Sequence, residues 1–188
     1  MSHRVSGAMI PGHVNTSSAG GTYGSPMSMS GGAFMWLATT GSSPAERDTG
    51  CHDVRTLIPL GPLHRDAMHT TIAGLTASGY TPISLALQHA GGQLPADNSE
   101  QAIVLVSDGE DTCNSDPCQT AAQLKIAHPN LTISTIGFKT DGPTAEQLRC
   151  IATATGGLFI QAGNTTQLTT RLIATQNLDT ANNSLTPT

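Results

Sequence analysis

Between residues 102 and 175, short apolar runs alternate three times with longer amphipathic stretches. The run AIVLVS, at 102–107, is continuously apolar, which is typical of a strand covered on both faces. Helical periodicity follows at 117–127 and 144–155, with a β-branched run at 131–138 between the two. Connections of this length suit crossovers rather than hairpins. The pattern therefore predicts an α/β fold with a doubly wound, mostly parallel sheet flanked by helices.

Similar patterns predict the remaining elements of the chain. They are strands at 54–60 and 158–162 and helices at 64–75, 82–94 and 164–176. Pro82 suits the first position of its helix, and Thr81 suits the N-cap before it. The apolar stripe of this helix consists of Ile83, Leu87, Ala90 and Leu94.

Residues 1–50 have a different character, because they are rich in Gly, Ser, Thr, Met and Pro and show no sustained period of 2 or 3.6. Only AFMWLATT, at 33–40, is strand-like, and it suits a sheet edge. The polar tail at 177–188 is expected to be loose. The predicted organisation is an irregular segment at 1–50, a domain at 51–176 and the tail.

Charge and composition exclude several classes of function. The 188 residues include 8 basic and 13 acidic ones, a formal net charge of -5, and the basic residues are scattered singly without interleaved aromatics. Nucleic acid is therefore an unsuitable partner. No apolar run approaches the roughly 20 residues that span a bilayer, and the opening lacks the apolar stretch of a signal peptide. We expect a soluble chain without a membrane span.

Candidate chemistry lies where the central predicted strand ends. Asp108 follows this strand directly, and Gly109 allows a sharp turn there. In parallel sheets, binding groups gather beyond the carboxyl ends of the strands. Thr81, at the start of a helix, offers a hydroxyl oxygen, and one carboxylate with hydroxyls and water suits Mg²⁺ or Mn²⁺. The simpler interpretations are a plain Asp-Gly turn for Asp108, a helix cap for Thr81, and solvated loop acids for Glu110 and Asp111.

Four stretches together resemble a von Willebrand factor type A domain. They are GYTPISLAL, IVLVSDGEDTC, TISTIGF and LRCIATATGGLFIQA, and the resemblance covers about residues 51–175. It implies a metal-ion-dependent adhesion site made from a D-x-S-x-S motif, a threonine and an aspartate, and it carries the last two roles to Thr81 and Asp108. CHDVRTLIPLGPL with DGEDTCNSDPC further resembles a bacterial subgroup with paired cysteines around this site.

The chain departs from the family in the first motif, because it contains no D-x-S-x-S. The nearest match is RVSGAM, where Arg4 takes the place of the aspartate, Ser6 keeps one serine and Ala8 replaces the other. The resemblance then implies Asp108, Thr81 and Ser6 as ligands of Mg²⁺ (or Mn²⁺ or Ca²⁺), with weak or absent binding because a cation replaces an anion. We also expect the first strand and helix of the fold to be degenerate or missing.

The even number of cysteines suits two disulfides and an oxidising compartment, which makes an extracellular or cell-surface context a hypothesis. We favour a local pair, Cys113 with Cys118, which leaves Cys51 with Cys150. The other two connectivities and free thiols stay open, and a zinc site that includes His52 is the rival interpretation.

The predicted function is that of a non-enzymatic, adhesion-type module that binds a protein ligand, through a carboxylate of the partner where the metal site is intact. Ser107 lies in a strand without a G-x-S-x-G elbow, and no Gly-rich phosphate loop follows any strand. One alternative is a metal-dependent hydrolase with Asp108 and Asp111 as ligands. The other is a degenerate structural fragment that binds nothing at this face.

Overall fold

The computed structural model describes residues 4–10, 34–37, 44–61, 64–74, 80–97 and 99–171. In chain order the elements are β1 (Arg4–Ile10), β2 (Phe34–Leu37), α1 (Pro44–Cys51), β3 (Val54–Ile58), α2 (Arg65–Ala73), α3 (Ile83–Gly91), β4 (Gln101–Ser107), α4 (Pro117–Ala127), β5 (Leu131–Phe138), α5 (Gly142–Thr155) and β6 (Phe159–Ala162). Residues 165–171 are also helical. None of the helices in these ranges has the length and apolar character needed to cross a membrane.

The strands form one six-stranded sheet in the order β3-β2-β1-β4-β5-β6. Neighbouring strands are parallel except for β2 and β3, which pair antiparallel at one edge. Helices connect the parallel strands β4, β5 and β6, as the alternation of the sequence predicted. The doubly wound, mostly parallel α/β fold is therefore confirmed.

The amino-terminal quarter contributes more to the sheet than its composition indicated. β1 lies in the middle of the sheet, between β2 and β4, although the sequence led us to expect this strand to be degenerate or missing. The strand predicted at 33–40 is present as β2, but it lies inside the sheet rather than at an edge. β1 has a poor apolar pattern and a register shift between Val5 and Ala8, so its pairing depends on neighbours on both sides. Residues 11–33 lie outside the described residues.

The core lies on both faces of β4, and this explains the continuous apolar run. Ile103 and Leu105 pack on one face, beneath α3, α4 and α5, whereas Val104 and Val106 pack with Ile136 on the other. Successive side chains of a strand point to opposite faces, so a strand covered twice needs apolar residues at every position. The predicted stripe of α3 is buried as expected at Ile83, Leu87, Ala90 and Leu94.

Helix α5 ends at two adjacent glycines, Gly156 and Gly157, and the structure requires glycine at each position for a different reason. Gly156 has a φ of 78°, the left-handed conformation that closes many helices. Gly157 then passes so close to Ile133 of β5 that a Cβ would collide with the carbonyl oxygen of that residue. From this close contact with β5, the chain continues into β6.

Candidate functional site

Asp108 follows β4 at the carboxyl edge of the sheet and opens the β4–α4 loop, which we define as residues 108–116. The side chain of Ser107 closes the turn at this point, because its Oγ donates to the carbonyl oxygen of Gly109 at 2.7 Å and accepts from the amide of Gly109 at 3.2 Å. Asp108 is half-buried. The acid therefore lies at the edge where α/β sheets of this kind bind ligands.

The β4–α4 loop pairs with the segment that contains Thr81. The amide of Thr81 donates to Oγ1 of Thr112 at 2.7 Å, and the amide of Thr112 donates to the carbonyl oxygen of Thr81 at 3.1 Å. Thr81 is 8% exposed. The structure thus brings the segments of both predicted site residues to the same edge, although the helix cap predicted at Thr81 is wrong. Pro82 occupies the N-cap of α3, without a side-chain cap bond.

The missing cap is supplied across the site by Asp111. Its Oδ2 accepts from the amide of Ser84, in the first turn of α3, at 3.2 Å. Its Oδ1 accepts from the amides of Cys113 at 2.8 Å and Ser115 at 3.4 Å, and its own amide donates to Oε1 of Gln147 at 2.8 Å. Asp111 is therefore not a merely solvated loop acid. It fixes the loop against α3, a role that short-range sequence patterns do not reveal because Ser84 lies far away along the chain.

The disulfides differ from the favoured prediction. Cys51 is bonded to Cys113, and Cys118 to Cys150. The local Cys113–Cys118 pair is wrong because Asp116 caps α4 and so fixes Cys118 in the first turn of that helix, which packs along α5 and its Cys150. Cys113 instead faces the end of α1.

The two disulfides use all four cysteines, so the zinc interpretation with His52 loses its thiolate ligands. Within the described ranges, no three His, Cys, Asp or Glu side chains form a group that suits a metal ion.

Helix α1 also contacts the loop through a charged side chain. Nη2 of Arg47 donates to the carbonyl oxygen of Thr112 at 2.7 Å and to Oδ1 of Asn114 at 2.9 Å. Asn114 has a φ of 56°, a left-handed conformation that Asn tolerates better than most residues. The loop is thus held from α3 by Asp111 and from α1 by both Arg47 and Cys51.

The family model of the von Willebrand factor type A domain matches residues 49–174. The chain belongs to this family. Two relatives from Bacillus subtilis (strain 168), the uncharacterized proteins YwmD and YwmC, are 28% and 29% identical to it over 61% and 70% of this chain. The chain spans 52% and 60% of their lengths.

Among solved structures, the chain is similar in fold to the conserved hypothetical protein BatB from Bacteroides thetaiotaomicron. The TM-score is 0.60 at 11% identity, and the match covers 95% of this chain and 98% of that chain. Von Willebrand factor A domains are generally non-enzymatic modules that interact with proteins.

The third ligand implied by the family, Ser6, does not lie with the other two. In the register of the sheet, Val5 is opposite Ala102 and Ala8 is opposite Val104, so Ser6 lies beside the first half of β4. Asp108 comes after the end of that strand, four to six residues beyond the point opposite Ser6, which is roughly 13–20 Å at about 3.3 Å per residue. The backbone of β1 therefore places Ser6 well short of the edge that carries Asp108.

Among the described residues, the side chains at this edge offer fewer metal ligands than an intact von Willebrand factor A site. Asp108 and Thr81 supply one carboxylate and one hydroxyl, so water would have to fill most of the near-octahedral shell of Mg²⁺. Asp111 already accepts from backbone amides with both oxygens, and Oε1 of Glu110 accepts from the hydroxyl of Thr144 at 3.3 Å. Ligation by Asp108 and Thr81 stays a prediction, and it is one of weak binding.

Proposed function

We propose that this von Willebrand factor A domain is a non-enzymatic, adhesion-type module that binds a protein at the carboxyl edge of its sheet. The binding face is defined by the β4–α4 loop and by residues 81–84. The single observation that carries the proposal is the reciprocal pairing of Thr81 with Thr112, because it joins these two segments into one surface. A surface held in one conformation loses less conformational entropy when it binds.

Covalent and polar ties support the idea of a prearranged face. Cys113 within the loop is bonded to α1, and Cys118 just after it is bonded to α5. Asp111 adds the hydrogen bond to the first turn of α3. Disulfides persist in oxidising compartments, so an extracellular or cell-surface setting belongs to the same proposal.

The metal makes a reduced contribution in this proposal. In intact sites of the family, a carboxylate of the partner completes the shell of a divalent ion. Here Asp108 and Thr81 are the expected ligands, and the register of β1 supports a set that does not include Ser6. The partner therefore gains its affinity mainly from direct contacts with the protein.

The hydrolase alternative has less support. It uses Asp108 and Asp111 as metal ligands, but the carboxylate of Asp111 is occupied by the amides of Ser84 and Cys113. The alternative of a structural fragment also has less support, because β1 completes the middle of the sheet. Metal-dependent turnover of ester or phosphoester substrates that disappears in Asp108→Ala would favour the hydrolase instead.

Site-specific photocrosslinking in the source organism tests the proposal. A photoreactive residue is placed at Glu110, which is exposed on the binding face, and at Pro129, which is exposed at the opposite edge of the sheet just before β5. We expect a discrete crosslinked protein from position 110 that is absent from position 129. Equal crosslinking from both positions, or none from position 110, would contradict binding at this face.

A further inference from the structure

We propose that Arg47 is the fixed cation of the binding face, that it receives a carboxylate of the partner directly, and that it disfavours a divalent ion at Asp108. The inference rests on the proposed protein-binding function, which it deepens by naming the chemical class that the face recognises. It also gives a physical reason for weak binding of a divalent ion at this edge.

The first step is the position of the guanidinium. Nη2 of Arg47 bonds to the carbonyl oxygen of Thr112, and Thr112 is the residue that pairs with Thr81. The guanidinium therefore contacts the residue that pairs with the predicted ligand Thr81. Both described bonds of the guanidinium use the same nitrogen, Nη2, whereas arginine carries five N–H donors in a planar fork that matches a carboxylate.

The second step is the orientation of α1, which places the side chain of Arg47 next to the loop. Arg47 and Cys51 are four residues apart, so they lie on the same face of the helix. The bond from Cys51 to Cys113 turns this face toward the loop. The sequence of α1, PAERDTGC, contains no large apolar side chain that would anchor it otherwise. The disulfide thus keeps the guanidinium at the binding face together with its two hydrogen bonds.

The third step concerns the acids of the loop, which would otherwise repel a carboxylate. Asp111 accepts from the first turn of α3, and Asp116 caps α4 through the amide of Gln119 at 2.9 Å. Helix amino termini carry partial positive charge, so these two acids are partly compensated where they stand. The other acids of the loop are Asp108 and Glu110, and Oε1 of Glu110 accepts from the hydroxyl of Thr144. Arg47 places one cation, fixed by two hydrogen bonds, at the part of the loop around Thr112 and Asn114.

The same charge acts on any divalent ion that approaches Asp108. Arg47 contacts Thr112, which is four residues from Asp108 in the same loop. For a separation of roughly 10 Å, a unit positive charge weakens the binding of a divalent cation by about tenfold at intermediate effective dielectric and moderate salt. Removal of the charge from Arg47 should therefore raise the affinity for Mn²⁺, and replacement by lysine should not.

Two measurements on the full chain test the proposal without any partner. Binding of Mn²⁺ is followed by electron paramagnetic resonance in the parent protein and in Arg47→Gln, Arg47→Lys and Arg47→Gln with Asp108→Asn. We expect Arg47→Gln to bind Mn²⁺ about tenfold more tightly, Arg47→Lys to match the parent, and the double variant to lose the gain. Equal affinity in Arg47→Gln and the parent, or a gain that survives Asp108→Asn, overturns the proposal.

The second measurement uses acetate as the carboxylate probe and follows the Nε–Hε signals of arginine by NMR. Arg149 is the internal control, because its guanidinium lies 4.9 Å from the ring centroid of Phe159, away from the loop. We expect acetate to shift the signal of Arg47 and to leave that of Arg149 nearly unchanged. Equal shifts of the two signals overturn the carboxylate role, while failure of the crosslinking at Glu110 would overturn the protein-binding function instead. Thermal unfolding of each variant verifies that it is folded.

Discussion

Replacement of Asp111 by alanine should destabilise the domain more than replacement of any other acid in the β4–α4 loop. The change leaves the amides of Ser84, Cys113 and Ser115 without their acceptor. These amides belong to two segments, so the variant loses the tie between the loop and α3 as well as a helix cap.

The magnitude follows from the geometry. Hydrogen bonds to a charged group contribute about 1.5–3 kcal/mol each, and the half-buried position of Asp111 favours the lower end of this range. The bonds at 2.8 and 3.2 Å then give a loss of about 3 kcal/mol, and the bond at 3.4 Å adds little. In Asp116→Ala, the matched control, a single exposed cap bond is lost at a cost of about 1 kcal/mol.

Unfolding by urea under non-reducing conditions measures both variants against the parent, with the disulfides intact. For a chain of this size, each kcal/mol also lowers Tm by about 2–4 °C, so thermal unfolding separates the two variants. An Asp111→Ala variant that is no less stable than Asp116→Ala would refute the reasoning. It would mean that the loop does not depend on its carboxylate tie to α3.

Two further predictions concern the frame that holds the site. Replacement of Cys51 and Cys113 together by serine should lower the free energy of unfolding by about 4 kcal/mol in the chain-entropy model, because the bond spans 62 residues. A decrease below about 1 kcal/mol in urea unfolding would show that α1 is held by other contacts. Gly157→Ala should destabilise strongly, since a Cβ there meets the backbone of Ile133, whereas Gly109→Ala, where nothing lies within 4 Å, should be nearly neutral. Equal melting temperatures for these two glycine variants would contradict the close approach of the chain after α5.

The sequence predicted those parts of the fold that short-range patterns determine. The apolar run at 102–107 identified β4 because a strand covered on both faces needs apolar residues throughout. Asp108 could be placed at the carboxyl edge because it follows that strand directly. Thr81 was expected on the same edge because the resemblance implied a role for it there, and the contact with Thr112 joins the two segments.

The parts that the sequence did not predict depend on contacts between distant residues. β1 has a weak apolar pattern, and it forms a strand because it pairs with β2 on one side and β4 on the other. Local periodicity does not detect such pairing. The disulfides follow from the positions of α1, α4 and α5, whereas the favoured local pair rested on separation along the chain alone. Arg47 is an isolated basic residue in the sequence, and only the fold brings it to the loop.

The affinity of the protein that crosslinks from position 110 tests the central claim most directly. Its Kd is measured by surface plasmon resonance for the parent, for Ser115→Trp in the exposed β4–α4 loop, and for Pro129→Trp as the control at the opposite edge. The core of an interface is packed about as densely as a protein interior, so we predict that the bulky side chain of Ser115→Trp weakens binding at least about tenfold while Pro129→Trp matches the parent. Unchanged affinity in Ser115→Trp, with the variant folded, would contradict binding at the carboxyl edge of the sheet.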